Sequence, residues 1–429
     1  MKIKCKELDY ESVLALPPME HTKPRKPSPF VRRLLRAVSK PELKKLDFRC
    51  EYVGMDALGT DEPALFLMNH SSFVDMKIAS AALYPRPLNI VATYDAFVGK
   101  KLLMKALGCI PTRKFITDTR LLRDMSYALH ELRSNVLMFP EAGYSFDGTA
   151  TVLPESLGKC LKFLKVPVVM VTTYGAFSRD PLYNMLQLRK VPLSARVEYL
   201  LSPEQVQELT VAELNSILAD AFSFDSFRWQ QEQGLRITEP FRADGLNRVL
   251  YKCPHCLAEG KMEGKGTTLR CHACGKSWEL TETGTLEATE GEGYFTHVPD
   301  WYRWERECVR QELERDEYSL DIPVDIRMLV DTEYLYSVGS GRLRHDKSGF
   351  TLTGCEDRLH YRLPPLSSYT LNADYYWYEL GDMISIGDSK ALYYCFPTEG
   401  GDVVAKTRLA TEELYKMEKE KRNKKGTAR

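Results

Sequence analysis

From about residue 47 to 235, short apolar runs alternate with stretches of helical periodicity. The runs at 64–68, 88–93, 136–139, 166–173 and 195–201 read as strands. Leu65, Phe66, Leu67 and Met68 in the first are apolar at successive positions, as expected of a strand covered on both faces. Between the strands, 119–133 gathers Leu121, Leu122, Met125, Ala128, Leu129 and Leu132 on one helical face. This alternation predicts a layered α/β domain over 46–235. Open α/β sheets bind ligands beyond the carboxyl ends of their strands. His70 and Glu141 each follow a predicted strand, so both are expected at that edge.

The flanks have other patterns. Residues 17–29 hold five prolines among basic residues and read as an extended arm. In the segment that follows, Phe30, Val31, Leu34, Leu35 and Val38 fall on one helical face, with Arg32, Arg33, Arg36 and Lys40 on the other. Such a helix either lies in a lipid headgroup layer or packs its apolar stripe on the domain. Together these form a basic arm and amphipathic helix over 1–45. Residues 251–281 read as a separate small unit and 282–330 as a helical, acidic linker. The stretch 331–425 reads as a β-rich domain of short alternating strands closed by a charged helix, pleckstrin-homology-like in pattern only.

Composition changes this picture little. Of 429 residues, 44% are hydrophobic and 28% charged, and 59 basic residues balance 59 acidic ones. The charge is unevenly spread: residues 1–50 hold 13 basic against 6 acidic residues, and 416–429 hold 7 against 2. Basic ends suit an anionic surface, or else are solvated termini. No run approaches the roughly 18 apolar residues of a membrane span, and the first residues lack a signal-peptide core. Eleven cysteines without such a signal suggest a reducing compartment. The expectation is a cytoplasmic protein, peripheral to the inner face of the membrane.

Candidate chemistry begins at "NHSSFVD". A histidine acts as general base near neutral pH when a carboxylate fixes its tautomer and stabilises the imidazolium. His70 and Asp75 have that potential if the residues between them turn from a strand end into a first helical turn. The same letters also fit a capping box, with Asp75 serving only backbone N–H groups.

The neighbouring motifs favour chemistry. "NHSSFVD" (69–75), "GCIPTRKF" (108–115), "FPEAGYS" (139–145) and "VPVVMV" (166–171) occur in that order. In this the chain resembles the glycerolipid acyltransferase family, the lysophosphatidic-acid and glycerol-3-phosphate acyltransferases with an N-H-x-x-x-x-D block. The resemblance covers about residues 60–175. It implies that His70 deprotonates an acceptor hydroxyl and that Asp75 orients it. The hydroxyl oxygen would then attack the thioester of acyl-CoA or acyl carrier protein, with no enzyme nucleophile. Arg113, Lys114, Glu141, Gly143, Tyr144 and Ser145 would form the acceptor site of a lysolipid such as 1-acylglycerol-3-phosphate. Two departures stand out. Ala142, Gly143 and Tyr144 replace the family's Gly-Thr-Arg, and a tyrosine cannot make the arginine's bidentate contact to phosphate. The family's single basic residue in the second block aligns with either Arg113 or Lys114.

Cys253, Cys256, Cys271 and Cys274 are spaced C-x-x-C-x₁₄-C-x-x-C, which reads as a zinc ribbon with a closed, structural four-thiolate Zn²⁺ site. Acidic flanks oppose nucleic-acid binding, so the ribbon is expected to be architectural or to dock a protein partner. Two readings of the whole chain follow. One is a membrane-surface O-acyltransferase of phospholipid synthesis. The other is a non-catalytic membrane-associated adaptor that uses the ribbon and β-domain to bind partners.

Overall fold

The computed structural model describes residues 2–17, 19, 21–116, 118–399 and 401–427. Two units divide the chain: one comprises 20–181 and 188–230, the other 1–19, 182–187 and 231–429. The first short elements, β1 (Cys5–Glu7) and α1 (Tyr10–Leu14), belong to the second unit.

The first unit opens with α2 (Pro29–Lys45), β2 (Arg49–Val53), β3 (Leu65–Met68), α3 (Asp75–Ala82), β4 (Leu88–Thr93), α4 (Tyr94–Phe97) and α5 (Lys101–Ala106). It continues through β5 (Ile110–Thr112), α6 (Thr119–His130), β6 (Asn135–Met138), α7 (Leu157–Leu164), β7 (Val168–Tyr174) and α8 (Ala176–Arg179). It closes with β8 (Ser194–Leu201), α9 (Pro203–Glu208), α10 (Val211–Ala221) and α11 (Ser226–Glu232). The sheet order is β2-β8-β7-β3-β6-β4-β5. Only the β7–β8 pair is antiparallel.

β3 lies at the centre, parallel to β6 and β7, with Leu65 opposite Val136 and Val168. Its four side chains are fully buried and alternate between two cores. Phe66 and Met68 join α3 residues Ile78 and Ala79; Leu65 and Leu67 join Met125 and Leu129 of α6, Leu157 and Leu161 of α7, and Leu214 and Leu218 of α10. Each such side chain contributes about 1.5–3 kcal/mol. The apolar run is thus explained by helices on both faces. Because the helix after β3 covers one face and the helix after β6 the other, a crevice opens at their carboxyl ends.

The strand expectations hold to within two residues, while β2 and β5 escape the hydrophobic pattern: one is largely polar, the other three residues long. The amphipathic segment forms α2, but its orientation differs from the wheel. Arg32 donates to the Pro85 carbonyl at 2.8 Å, and Arg36 lies over the Tyr84 ring at 4.1 Å. Ser39 and Leu43 face the body, whereas Phe30, Leu34 and Val38 are exposed. Val31 and Leu35 of the stripe are half-buried, as are Arg32 and Arg36, since long arginine side chains can cover apolar surface.

In the second unit β9 (Met262–Lys265), β10 (Thr268–Cys271), β11 (Ser277–Leu280) and β12 (Leu286–Ala288) form an antiparallel sheet in the order β12-β11-β10-β9. After α12 (Val298–Glu314) come β13 (Leu320–Leu329), β14 (Leu335–Asp346), β15 (Gly349–Gly354) and β16 (Leu359–Leu363). Then follow β17 (Asn372–Asp374), β18 (Met383–Gly387), β19 (Leu392–Pro397) and α13 (Val403–Thr427). Their order is β16-β15-β14-β13-β19-β18-β17, with β1 added parallel to β14.

Elements of the structure run across the boundaries expected at 281 and 330, and the expected boundary at 45 coincides with the end of α2. The segment 1–45 divides between the units. The ribbon sheet runs on to Ala288, and β13 begins inside the expected linker. What remains of that linker, α12, is packed rather than free. Trp301 meets Trp278 of the ribbon at 4.9 Å, and its indole donates to the Lys252 carbonyl at 3.0 Å. Arg306 and Arg310 pair with Glu412 and Glu413 of α13. Arginines of the acidic stretch thus pair with acids of the closing helix. Met1, Pro18, Glu20, Thr117, Gly400, Ala428 and Arg429 lie outside the described residues, Arg429 being one of the basic C-terminal residues. Among the described residues no helix is long and apolar enough to cross a membrane.

Candidate active site

The polypeptide leaves β3 at Met68 and turns through 69–74 before α3 starts at Asp75. That turn would leave several N–H groups without partners, and two buried carboxylates accept from them. Asp75 Oδ2 accepts from Ser71 N at 2.8 Å and Ser72 N at 3.0 Å. Glu141 Oε2 accepts from His70 N at 2.9 Å. Asn69 ties the turn to β7, its Oδ1 accepting from Thr173 N at 2.8 Å and its Nδ2 donating to the Thr173 carbonyl.

On this frame His70 Nδ1 lies 3.1 Å from Asp75 Oδ2. Because the carboxylate can only accept, Nδ1 carries the proton and the lone pair is on Nε2. Among the described residues no group hydrogen-bonds Nε2, and 19% of the side chain is exposed. The ring centroid lies 4.3 Å from that of Phe139 and 4.0 Å from that of Tyr144, tilted by 34° and 30°. Burial pushes the His70 pKa below its usual 6.5; the Asp75 hydrogen bond and charge oppose this, and the Lys114 charge adds to it. A neutral imidazole with a fixed tautomer and an open Nε2 can accept a proton from a hydroxyl.

The capping-box alternative is half realised. Asp75 does accept the Ser72 N–H, but the Ser72 hydroxyl donates to Asp180 Oδ1 and accepts from Val74 N. Asp180 was not foreseen from the sequence. It is 4% exposed, and burial raises its pKa to about 6 against the lowering pull of Ser72 and Arg179.

The residues expected to form an acceptor site divide into half-exposed ones and ones turned inward. Tyr144 and Gly143 are among the former, with Phe73 5.3 Å from Tyr144 and half exposed. Lys114 lies near enough for its charge to act on His70, whereas the Arg113 guanidinium sits 4.7 Å over the Tyr94 ring. Glu141 is turned inward. At 1% exposure its Oε2 holds the His70 backbone, and its Oε1 accepts from Thr151 N at 2.7 Å and Thr151 Oγ1 at 3.1 Å. Both of its oxygens thus serve the turn that carries His70. Ser145 is likewise internal, donating to the Thr149 carbonyl at 2.6 Å and accepting from Gly148 N at 2.9 Å. Ala142, where the resembled family has glycine, sits at a φ of 53°, backbone that glycine adopts at less cost.

Residues 49–174 match the family model described as Acyltransferase. That segment is an acyltransferase-family domain. All four motif blocks lie inside the match, so the resemblance read from them is borne out at that level. Among solved structures the chain is similar to the 1-acyl-sn-glycerophosphate (LPA) acyltransferase PlsC from Thermotoga maritima. That likeness spans 45% of this chain and 77% of that one, at 16% identity and a TM-score of 0.35. No curated protein matches the chain. His70, Asp75, Glu141 and Tyr144 lie within the matched segment; Asp180 and the cysteine cluster lie outside it.

In the second unit the Sγ atoms of Cys253, Cys256, Cys271 and Cys274 all lie within 4.8 Å of one another. Cys253–Cys274 and Cys256–Cys271 are 3.8 and 3.7 Å apart. These are far beyond a disulfide and match the edge of a tetrahedron with metal–sulfur bonds of about 2.3 Å. The four thiols could therefore hold a metal ion. His255 and His272 are occupied elsewhere, by Tyr294 Oη at 2.8 Å and Glu263 at 3.0 Å.

Proposed function

We propose that this acyltransferase domain transfers a fatty acyl group from acyl-CoA or acyl carrier protein to a hydroxyl of a (lyso)glycerolipid, with 1-acylglycerol-3-phosphate as the expected acceptor. The observation that carries this reading is His70 Nε2, left open at the sheet edge with Nδ1 fixed on Asp75. Nearby serine hydroxyls are turned elsewhere, Ser72 to Asp180 and Ser145 to Thr149. This favours activation of the acceptor itself over an enzyme nucleophile. His70 takes the hydroxyl proton, and the oxygen attacks the thioester carbonyl. The C–S bond then breaks, and the imidazolium returns its proton to the leaving thiolate. Asp75 stabilises the imidazolium throughout. Lys114 supplies positive charge for an acceptor phosphate, Arg113 backs it from the Tyr94 ring, and Gly143 and Tyr144 border the acceptor.

The domain is proposed to work on an anionic membrane surface. Phe30 (73% exposed), Leu34 and Val38 form an unpartnered stripe on α2, with Arg33, Lys40 and Lys44 exposed beside it. Ser28 N, at the head of α2, donates to the Ala106 carbonyl at the end of α5, where Leu102 is 84% exposed. Apolar side chains rimmed by cations suit a headgroup layer. On this reading the protein works at the inner, cytoplasmic face of the membrane.

We assign Zn²⁺ to the four cysteines as a structural ion. Bound there, it would cross-link the two knuckles and leave no open position for substrate. The strand order of β13–β19 and the closing helix α13 support a pleckstrin-homology-like reading of the β-rich region.

The test is acyl transfer by the purified chain, followed as thiol release, with lysophospholipids, glycerol-3-phosphate and neutral alcohols as acceptors. Transfer to phosphate-bearing acceptors, lost in His70→Ala, is expected. No thiol release with any pair would leave the adaptor reading in its place.

A further inference from the structure

We propose that Asp180 is a positioning residue for the His70–Asp75 pair, acting through the Ser72 hydroxyl. The inference rests on the acyl-transfer reading but can be tested apart from it. Asp75 Oδ2 is held by the N–H groups of Ser71 and Ser72, so its place depends on that two-residue turn. The backbone of Ser72 meets Asp75 twice, since Asp75 N also donates to the Ser72 carbonyl at 3.1 Å. Its side chain is fixed by Val74 N, which donates to Oγ at 3.2 Å, and by Asp180 Oδ1, which accepts from Oγ. Without Asp180, the buried Ser72 hydroxyl loses its acceptor, and the turn loses a tie to the loop after β7.

Asp180 has no comparable packing purpose. Burying a carboxylate near Asp75 is unfavourable, as its upward-shifted pKa records. The fold offsets that penalty with Arg179, whose Nη1 lies 3.2 Å from Asp180 Oδ2. The other end of Arg179 is held at 2.6 Å by Glu42 of α2, and Glu42 also pairs with Lys77 of α3. The following loop closes on the same segment, Arg189 N donating to the Arg179 carbonyl at 2.8 Å and its guanidinium to the Ser178 carbonyl. A carboxylate in this setting, 108 residues from the hydroxyl it holds, is more than a surface ion pair.

The experiment compares Asp180→Ala, Ser72→Ala and Asp180→Asn in the full chain. Two quantities are read: steady-state kinetics, and the titration of the His70 ring followed by NMR. Both alanine variants should lower kcat about tenfold with KM unchanged, the loss expected for a hydrogen bond to a charged group. Their His70 titration should move to lower pH, because the Asp75 bond that raises it is loosened. Asp180→Asn keeps an acceptor for the Ser72 hydroxyl and should recover most of both effects. Folded alanine variants with an unmoved His70 titration, or an asparagine variant as impaired as the alanines, would overturn the proposal. Wild-type protein that releases no thiol would refute the acyl-transfer reading, while the titration would still decide the role of Asp180.

Discussion

Asp75→Asn separates a charge-stabilising role from a helix-start role, because it changes charge at nearly constant shape. Asp75 is fully buried, and its Oδ2 lies 3.1 Å from His70 Nδ1. With charge centres about 4 Å apart and an effective dielectric constant of about 20, an imidazolium there gains about 4 kcal/mol from the carboxylate. Asparagine forfeits most of that gain only when the proton has moved, so kcat should fall about 10³-fold while KM stays near its wild-type value. Stability should change far less. The asparagine oxygen can still accept from Ser71 and Ser72, but its amide would lie at Oδ1, a buried atom with no hydrogen-bond partner. That costs about 1–3 kcal/mol. The pH profile adds a second sign. His70 must be neutral to act, and its pKa lies below 6.5, so kcat/KM should hold down to that pH and fall below it. Removing the Asp75 charge, which raises that pKa, should move the acid limb lower still. Thiol release measured from pH 5 to 8 on folded protein gives both quantities. Activity within about tenfold of wild type, with His70→Ala inactive, would refute the relay and leave Asp75 as a backbone acceptor alone.

Three further outcomes are expected. Glu141→Gln should lower the melting temperature and kcat together with no selective rise in acceptor KM, since its carboxylate holds His70 N and Thr151 rather than substrate; thermal unfolding beside kinetics checks this. Leu34→Glu with Val38→Glu should abolish co-sedimentation with anionic vesicles yet spare thiol release from a water-soluble acceptor, because both side chains are exposed on α2. Chelation, or Cys256→Ser, should remove one metal per chain by elemental analysis and destabilise the second unit, since structural zinc supplies folding free energy of about 10 kcal/mol or more; an unchanged melting profile would contradict the assignment.

The parts of the site legible in the sequence are those that lie close along the chain. His70 and Asp75 are five residues apart, and Cys253–Cys256 and Cys271–Cys274 are knuckles of four, so local geometry restricts where their side chains meet. Ser72 and Asp180 carry no such signal, being 108 residues apart and joined only after β7 lies beside β3. The wheel drawn for α2 holds for Arg33 and Lys40, which are exposed, and departs at Arg32 and Arg36 for a different reason. It sorts residues by polarity, whereas Arg32 and Arg36 pack their stems and spend their charge on Pro85 and Tyr84.

Glu141 shows the more general limit. A carboxylate after a strand looks available for substrate, but a strand that turns into a helix exposes N–H groups that must be paired if buried. Between Asn69 and Asp75 that need falls on His70, Ser71 and Ser72, and the nearest acids answer it: Glu141 takes the first, and Asp75 takes the other two. Asp75 can still serve His70 because the same oxygen that accepts from the turn also accepts from Nδ1. Glu141 has no oxygen left for such a second use, since Thr151 holds the other one. The backbone therefore assigns the two carboxylates before any substrate arrives, leaving His70 Nε2 as the unpaired group that the proposed acyl transfer would use.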